Sequence, residues 1–394
     1  MSEVRRNCKF RLYPNKRQLD DLAFQLEEAR RLYNAAIQER KEAWDKCKVN
    51  ISIKEQSAQL KWIRDNGYLG LANFSAAQNI LRRVHQVYNR FYKETKKGIK
   101  TGYPRFKTRM QFNTYVFPAW QNDNGCRFTK DHKLYVQGVG NLKIKLHRKI
   151  DGKIKCLILK YRAGRWYAIL STVRENKPLL QSQNSIGMDV GIRTLVAFSD
   201  GTTIDNPRYH EKSEKKLKRL QRQRDRRTKG SRGRKETILK LQKLHEHIIN
   251  QRNNNYHKIS RDIVNKNGII VHENIKFDDL RQGWHGNSID DAAWGNLFLK
   301  IAYKAEDAGR QVIKIEPNLT SQRCSCCGIY AEKDIGRSKV FKCEYCGLVV
   351  DRDINAALNI KEFGLSFDNK TERVTANVLS ETIVDSRSLV DACS

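Results

Sequence analysis

The chain has 394 residues with 76 Lys+Arg against 43 Asp+Glu, a formal net charge of +33. Such a field has no use for small neutral substrates and calls for a polyanionic partner, nucleic acid or an anionic membrane surface. No stretch of about 18 apolar residues exists to span a bilayer, and the opening MSEVRRNCKFRLYP lacks the apolar run of a secretory signal, so a cytoplasmic protein is expected. At 39% hydrophobic residues, with 15 Tyr, 14 Phe and 6 Trp, the chain can bury a core and is no disordered basic polymer.

In chain order, residues 7–13 read as a short strand ended by Pro14. From Gln18 to about Trp44, Leu19, Leu22, Leu26, Ala29, Leu32, Tyr33, Ala36 and Ile37 recur at three and four residues, an amphipathic helix. A second such helix is expected from about Ala72 to Tyr92. The loop KKGIKTGYPRFKTR follows, basic and interleaved with aromatics. Its Tyr103, Arg105, Phe106 and Lys107 are as consistent with clamping nucleic acid as with an ordinary strand edge. Residues 112–175 alternate and carry turn signals at Asn124-Gly125 and Ala163-Gly164, so several antiparallel strands are expected there.

After a linker at 176–185, SIGMDVGIRTLVAFSDG reads as strand, glycine turn, strand. Between Arg208 and Lys243 there are 16 Lys/Arg and 4 Asp/Glu, net +12 over 36 residues, in helical pieces broken at Lys229–Gly233. A solvated insertion would explain this segment. A contact with RNA or a heteroduplex explains it better, since so much self-repulsion needs an anionic partner. GIIVHENI is a buried strand, DDAAWGNLFLKIAYKAEDAG an amphipathic helix closed by Gly309, and RQVIKIEP another strand. VVDRDINAALNIKEFG begins as a strand and becomes a helix, and residues 363–394 read as a flexible polar tail.

Two constellations carry chemistry. Five of the ten cysteines lie within 324–346, where Cys324/Cys327 and Cys343/Cys346 form two C-x-x-C knuckles separated by 15 residues, each followed by Gly. That spacing suits a tetrahedral structural zinc with four thiolates, leaving Cys326 spare. The second constellation is acidic. Asp189 interrupts an apolar strand, Glu273 closes another, and Asp351 and Asp353 follow Gly347-Leu-Val-Val. Buried carboxylates are costly alone, so several in one domain imply convergence on hard divalent cations, Mg²⁺ or Mn²⁺. Two such ions can promote phosphodiester hydrolysis.

IGMDVGIRTLVAFSDG, IIVHENI, TSQRCSCCG…CEYCG and DRDINAALNI resemble, in order and spacing, the TnpB proteins of IS200/IS605-type transposons, relatives of the compact type V CRISPR effectors. FRLYPNKRQ…LYNAAIQERKEAW and GYPRFK are similar to that family too, so the resemblance covers most of residues 5–362. It implies an α+β multidomain chain. A β-barrel-like wedge module (1–15 and 100–178) would hold an inserted helical recognition bundle (16–99). A RuvC-like nuclease domain of RNase H fold, a mixed sheet with helices, would be split over 183–319 and 347–362, with a basic helical segment at 208–262. A zinc ribbon (320–346) would be inserted in it, and 363–394 would be the tail.

The resemblance also implies a transposon-encoded endonuclease that a guide RNA directs to double-stranded target DNA, without membrane association and nucleoid-associated when on DNA. Its third motif, Asp-x-Asn-x-Ala, is matched by Asp353, Asn355 and Ala357, so Asp189, Glu273 and Asp353 are the expected catalytic acids, with Asp351 second to Asp353. Asp189 would bridge two Mg²⁺ ions, Glu273 and Asp353 would complete one each, and Arg352 and Asn355 would orient the site or touch phosphate. The zinc ligands would be Cys324, Cys327, Cys343 and Cys346. Expected nucleic-acid contacts are Tyr103, Arg105, Lys107, Arg222, Arg226, Arg227, Arg232 and Arg234. Cleavage-inactive descendants of the family act as RNA-guided DNA-binding regulators, an alternative that the three intact acids argue against.

Overall fold

The computed structural model describes residues 3–120, 125–275, 292–316, 320–331 and 338–368. The expected tail beyond 368, part of the expected zinc ribbon (332–337) and the start of the helix expected from Asp290 lie outside the described residues. The chain divides into two compact units, built on residues 3–175 and on 176–368.

In the first unit, strand β1 (Glu3–Tyr13) is longer than expected. It runs through a seven-stranded antiparallel sheet with β2 (Thr114–Phe117), β3 (Cys126–Phe128), β4 (Leu134–Val136), β5 (Gly140–Lys145), β6 (Lys153–Arg162) and β7 (Arg165–Glu175). The order is β2-β6-β7-β1-β5-β4-β3. β6 and β7 are joined through Ala163 and Gly164, both at positive φ, the two-residue turn that matches strand twist. The sheet nearly closes, because Trp120, just past edge strand β2, meets Phe128 of the other edge strand with ring centroids 5.2 Å apart.

Three helices lie between β1 and β2. Helix α1 (Lys16–Cys47) starts after Pro14 in a capping box of Asn15 and Gln18, and α3 (Phe74–Lys96) is capped by Asn73. Between them stands a helix that periodicity does not announce, α2 (Ile53–Asp65). It buries only Gln56 and Leu60, and its one clear signal is the Ser52–Glu55 capping box. The three helices and one sheet face share a core with Phe10, Leu22, Ile37, Leu60, Ile80, Tyr88, Phe117 and Leu159.

The second unit has a five-stranded mixed sheet, β10-β9-β8-β11-β12. β8 (Ser185–Asp189), β9 (Thr194–Phe198) and β10 (Thr203–Asp205) are antiparallel, and β11 (Ile269–Glu273) runs parallel to β8 and to β12 (Gln311–Ile315). Helices α4 (Tyr209–Asp225) and α5 (Arg232–Lys266) form a hairpin held by Leu217, Leu220, Leu241, Leu244 and Ile248. The sequence expectation ended this basic helical segment at 262; α5 continues to Lys266 because Ile263 and Val264 are buried. Helix α6 (Trp294–Ala308) ends at Gly309 in the left-handed region. After it come the small β13–β14 hairpin (Val340–Lys342, Val349–Asp351) and helix α7 (Arg352–Asp368).

Two expected boundaries shift. Residues 176–178, assigned with the wedge module, join the second unit, where Lys177 N–H donates to the Asp307 carbonyl at 3.0 Å. The tail does not begin at 363: α7 runs to Asp368, and buried Gly364 lies so close to Val271 that no Cβ would fit. Among the described residues no helix is long and apolar enough to cross a membrane.

Candidate active site

The parallel strands of the second unit show their two faces by alternation. Ile186, Met188 and Ile270 join a core with Ile263, Leu297 and Ile301 of α5 and α6. His272, 3% exposed, stacks on Phe298 of α6 at 4.1 Å, so it points away from the acids; burial pushes its imidazole down to about 4. The intervening residues face α7. A Cβ on Gly187 would stand 2.1 Å from the Ala357 carbonyl oxygen, so only glycine lets the helix lie this close. Asp189 and Glu273 lie two residues on from Gly187 and Val271, on the same face, at the ends of β8 and β11.

Asp353 enters from the first turn of α7, where the helix N-terminus favours negative charge. Asp189 senses the other two acids. Burial first, then the charges of Asp353 and Glu273, push the Asp189 carboxyl up to about 8, against the lowering effects of the Val190 N–H and Arg352. Arg352 reaches Asp353 Oδ1 at 3.6 Å.

Asp351, the second choice for third acid, has another task. Its Oδ1 accepts from the N–H groups of Asp353 (2.9 Å) and Ile354 (3.3 Å), capping α7. Asn355 is engaged inside the frame. It is 0% exposed, accepts from Ser325 N–H at 2.9 Å and donates to the Arg323 carbonyl at 2.7 Å, tying α7 to the first cysteine knuckle.

Three residues that sequence reasoning missed complete the frame. Thr320 donates its hydroxyl to Glu273 Oε1 at 2.6 Å. Asn359 donates to the carbonyls of Thr320 and Arg323 at 2.8 and 2.7 Å. Arg323 pairs with Glu362 at 2.6 Å. Nothing in a loop threonine or a helical asparagine announces such a bond; the one available signal is their closeness in sequence to Cys324 and Asp353.

The cysteine cluster sits beside this frame. The Sγ atoms of Cys324 and Cys346, and of Cys327 and Cys343, are 3.6 Å apart. All four sulfurs lie within 4.8 Å of one another, and among the described residues this is the one group of three or more metal-capable side chains so tightly drawn. Backbone N–H groups of Cys346 and Tyr345 pull the Cys343 thiol below its ordinary value, toward the thiolate a metal binds. Four thiols at this separation can hold a metal ion. Cys326 is exposed and outside the group.

The carboxylates are set more openly than the sulfurs. Asp189 lies within reach of the charges of the other two, and Arg352 and the Val190 N–H offset that repulsion only in part. This donor set fits hard divalent cations, which take oxygen ligands and would relieve that repulsion.

The expected nucleic-acid contacts divide. Arg222 and Arg226 are exposed on the α4–α5 hairpin. Arg232, its side chain 95% exposed, pairs with Glu236 at 3.1 Å. Arg227 and Arg234 turn inward and hold the hairpin bend: Arg227 donates to the Gly233 carbonyl and to Thr237 Oγ1, and Arg234 to the carbonyls of Arg224 (2.6 Å) and Arg227 (2.9 Å). In the first unit Tyr103 hydroxyl bonds that of Tyr88 at 3.0 Å, and the Lys107 backbone is clipped to Asn34. Arg105 is exposed nearby.

Three family models match the chain. Residues 168–282 match the OrfB IS605 model, described as a probable transposase, and residues 294–360 match a Cas12f1-like TNB domain. Residues 1–48 match an OrfB IS605 model described as a helix-turn-helix domain, although its described residues form one strand and one helix. An Escherichia coli K12 protein named "Putative RNA-guided DNA endonuclease InsQ" is 26% identical over 79% of this chain and 78% of its own. A Streptomyces pristinaespiralis protein named "Putative RNA-guided DNA endonuclease" is 29% identical over 93% and 91%. A Cas12f1 chain, solved by cryo-EM in a complex with sgRNA and target DNA, shares the fold at a TM-score of 0.60 and 17% identity over 91% of this chain and 99% of that one.

The chain thus matches, segment by segment, the OrfB models of IS605-type elements and a Cas12f1-like TNB domain, and over most of its length it is similar to proteins named as RNA-guided DNA endonucleases, in line with the resemblance its sequence motifs carry.

Proposed function

We propose that this chain is an RNA-guided DNA endonuclease that hydrolyses phosphodiester bonds at Asp189, Glu273 and Asp353. The observation that carries the reading is their convergence: Asp189 and Glu273 end neighbouring parallel strands on one sheet face, Asp353 enters from the first turn of α7, and the charges of Asp353 and Glu273 both reach the buried Asp189. The mixed order β10-β9-β8-β11-β12, with α7 laid across it, supports a RuvC-like nuclease of RNase H type. The TnpB-like relatives and the net charge of +33 support a guide RNA and double-stranded target DNA as partners. On this reading base pairing reads the sequence while the protein holds backbone and duplex shape.

Asp189, Glu273 and Asp353 would hold Mg²⁺ or Mn²⁺, two ions for this many carboxylates. Bound there, the cations supply Lewis acidity that activates water and offsets charge developing on the phosphate. The chain's own residues prepare the site. Asp189 faces both other acids, Thr320 fixes one oxygen of Glu273, and Asp351 anchors the helix start from which Asp353 projects. Arg352 is placed to offer positive charge to a phosphate beside Asp353. The cysteine cluster, as a zinc site, would brace the frame through Asn355 and Asn359.

The test uses purified protein with its co-purified RNA and DNA matched to that RNA. Cutting that requires Mg²⁺ or Mn²⁺, stops with chelator and disappears in Asp189→Asn is the expected result. Cutting that persists in Asp189→Asn removes the site assignment.

A further inference from the structure

Away from the acids, the first unit contains a cleft of about 410 Å³ lined by Ile37, Lys41, Tyr103, Pro104, Arg105 and Phe106. That volume lies in the ~300–1,000 Å³ range of small-ligand sites. The cleft is built by a loop stretched between two helices. Asn34, Ile37 and Lys41 recur at three and four residues on one face of α1. Asn34 grips the loop by its backbone, accepting from Lys107 N–H at 2.8 Å and donating to the Lys107 carbonyl at 3.0 Å; Arg30 adds a bond to that carbonyl at 3.2 Å. At the other end Tyr103 is fixed to α3, hydroxyl to hydroxyl with Tyr88 and edge-on to Phe91 at 5.3 Å.

The side chains between these anchors are left uncommitted. Phe106 is 49% exposed although the backbone of the next residue, Lys107, is held. Among the described residues neither Lys41 nor Arg105 pairs with an acid, and no acid lines the cleft. Behind the Tyr88–Tyr103 pair, Arg40 is 5% exposed, and one of its guanidinium nitrogens, Nη2, has no hydrogen-bond partner. Its guanidinium carbon is 5.0 Å from the Tyr88 ring centroid, so positive charge stands behind this wall as well as at the rim.

Apolar walls with an exposed aromatic ring, two unpaired cations at the mouth and no carboxylate suit one chemistry. A free inorganic anion would gain nothing from Phe106, and an apolar peptide nothing from Lys41 and Arg105. A flat base attached to phosphates uses both. We propose that the cleft holds one unpaired nucleotide of a bound polynucleotide, its base stacked on Phe106 and its phosphates met by Lys41 and Arg105. The anchored loop means that little ordering entropy is lost on binding. The inference rests on reading the chain as a nucleic-acid-binding protein, and it adds a holding site with no cutting chemistry of its own.

The experiment measures binding of labelled oligouridylate and oligothymidylate of equal length to the full chain, freed of co-purified nucleic acid, across a salt series. Phe106→Ala is expected to weaken binding roughly ten-fold, as loss of one stacked base does, with the salt slope unchanged and Phe106→Trp restoring affinity. Arg105→Gln is expected to flatten the salt slope by about 0.7, the value of one phosphate on a single strand. Lys130→Gln, an exposed cation elsewhere in the unit, leaves affinity within about two-fold. Photocrosslinks from 5-iodouracil should map to residues 103–106. An effect confined to the ribose or to the deoxyribose oligonucleotide names the strand the cleft holds, and an effect on both shows that it reads only base and phosphate. Wild-type protein that binds both while Phe106→Ala binds equally well overturns this inference alone. Wild-type protein that binds neither overturns the functional reading beneath it.

Discussion

The hydroxyl of Thr320 donates to Glu273 Oε1 at 2.6 Å, while the Thr320 carbonyl accepts from Asn359 of α7 at 2.8 Å. One residue thus joins the end of β11, the helix bearing Asp353 and the approach to the first cysteine knuckle. A hydrogen bond to a charged group contributes about 1.5–3 kcal/mol. Thr320→Val is therefore expected to slow cutting on the order of 10- to 100-fold while RNA-guided DNA binding stays intact, and Thr320→Ser to keep most of the rate. Single-turnover cleavage alongside a gel-shift assay separates the two effects; equal losses in both would mean that Thr320 only maintains the fold.

The acids trade stability for chemistry. Asp189 is raised to about 8 by burial and by two neighbouring carboxylates, so without cations its charge opposes folding. Asp189→Asn is expected to abolish cutting and, in chelator, to stabilise the unit on the order of 1–3 kcal/mol. Glu273→Gln should also abolish cutting and leave guided binding in place. Thermal melts in chelator check the first outcome and binding to matched DNA the second. A destabilised Asp189→Asn would show that this carboxylate holds the fold together.

Cys324→Ser or Cys343→Ser is expected to abolish metal binding by the cluster and lower the melting temperature, since a structural metal contributes folding free energy directly. Cutting should fall with it, because Asn355 and Asn359 of α7 bond the Arg323 carbonyl next to Cys324. Cys326→Ser, outside the cluster, should leave metal content and melting unchanged. Metal analysis of the three variants with parallel melts decides the matter.

What the residues themselves disclosed follows from which signals are local. A lone acid in Ile186-Gly-Met-Asp or at the close of Ile269-Ile-Val-His-Glu is conspicuous because burial makes it costly, and paired C-x-x-C knuckles restrict their own geometry. Helix α2 escaped notice because a helix burying just Gln56 and Leu60 has no apolar stripe to read. Asp351 and Asp353 were separable by family motif alone; the capping bonds that occupy Asp351 exist only once α7 is formed. Arginines are equally opaque, since composition gives their number and tertiary structure decides which of them turn inward.

That division among the arginines is itself testable. Arg234→Ala is expected to loosen the α4–α5 bend, because it removes donors to the Arg224 and Arg227 carbonyls. Its signature is faster amide exchange near residues 224–234. Arg222→Ala and Arg226→Ala should leave exchange unchanged and flatten the salt dependence of nucleic-acid binding by about 0.7–0.9 for each phosphate no longer neutralised. Both classes of variant behaving alike would erase the distinction.

Lys300 offers a pH-dependent prediction far from the acids. Its ammonium is buried between α6 and α5, donating to Asn253 Oδ1 at 3.1 Å and to Asn296 Oδ1, with no carboxylate partner among the described residues. Burial lowers its pKa from 10.5 to about 8. Between those values the unfolded chain holds a proton that the folded chain has released, so this group makes stability rise with pH from about 8 to about 10.5. Below 8 both states are charged and the full desolvation cost persists. Lys300→Met, of similar length and uncharged, is expected to stabilise the second unit at pH 7 by on the order of 1–3 kcal/mol. The advantage over wild type should shrink steadily above pH 8, because wild type then sheds the same charge. Denaturant midpoints of both proteins from pH 7 to 10 measure that difference directly. A gap that stays constant with pH would show that Met stabilises by packing, with Lys300 keeping an ordinary pKa.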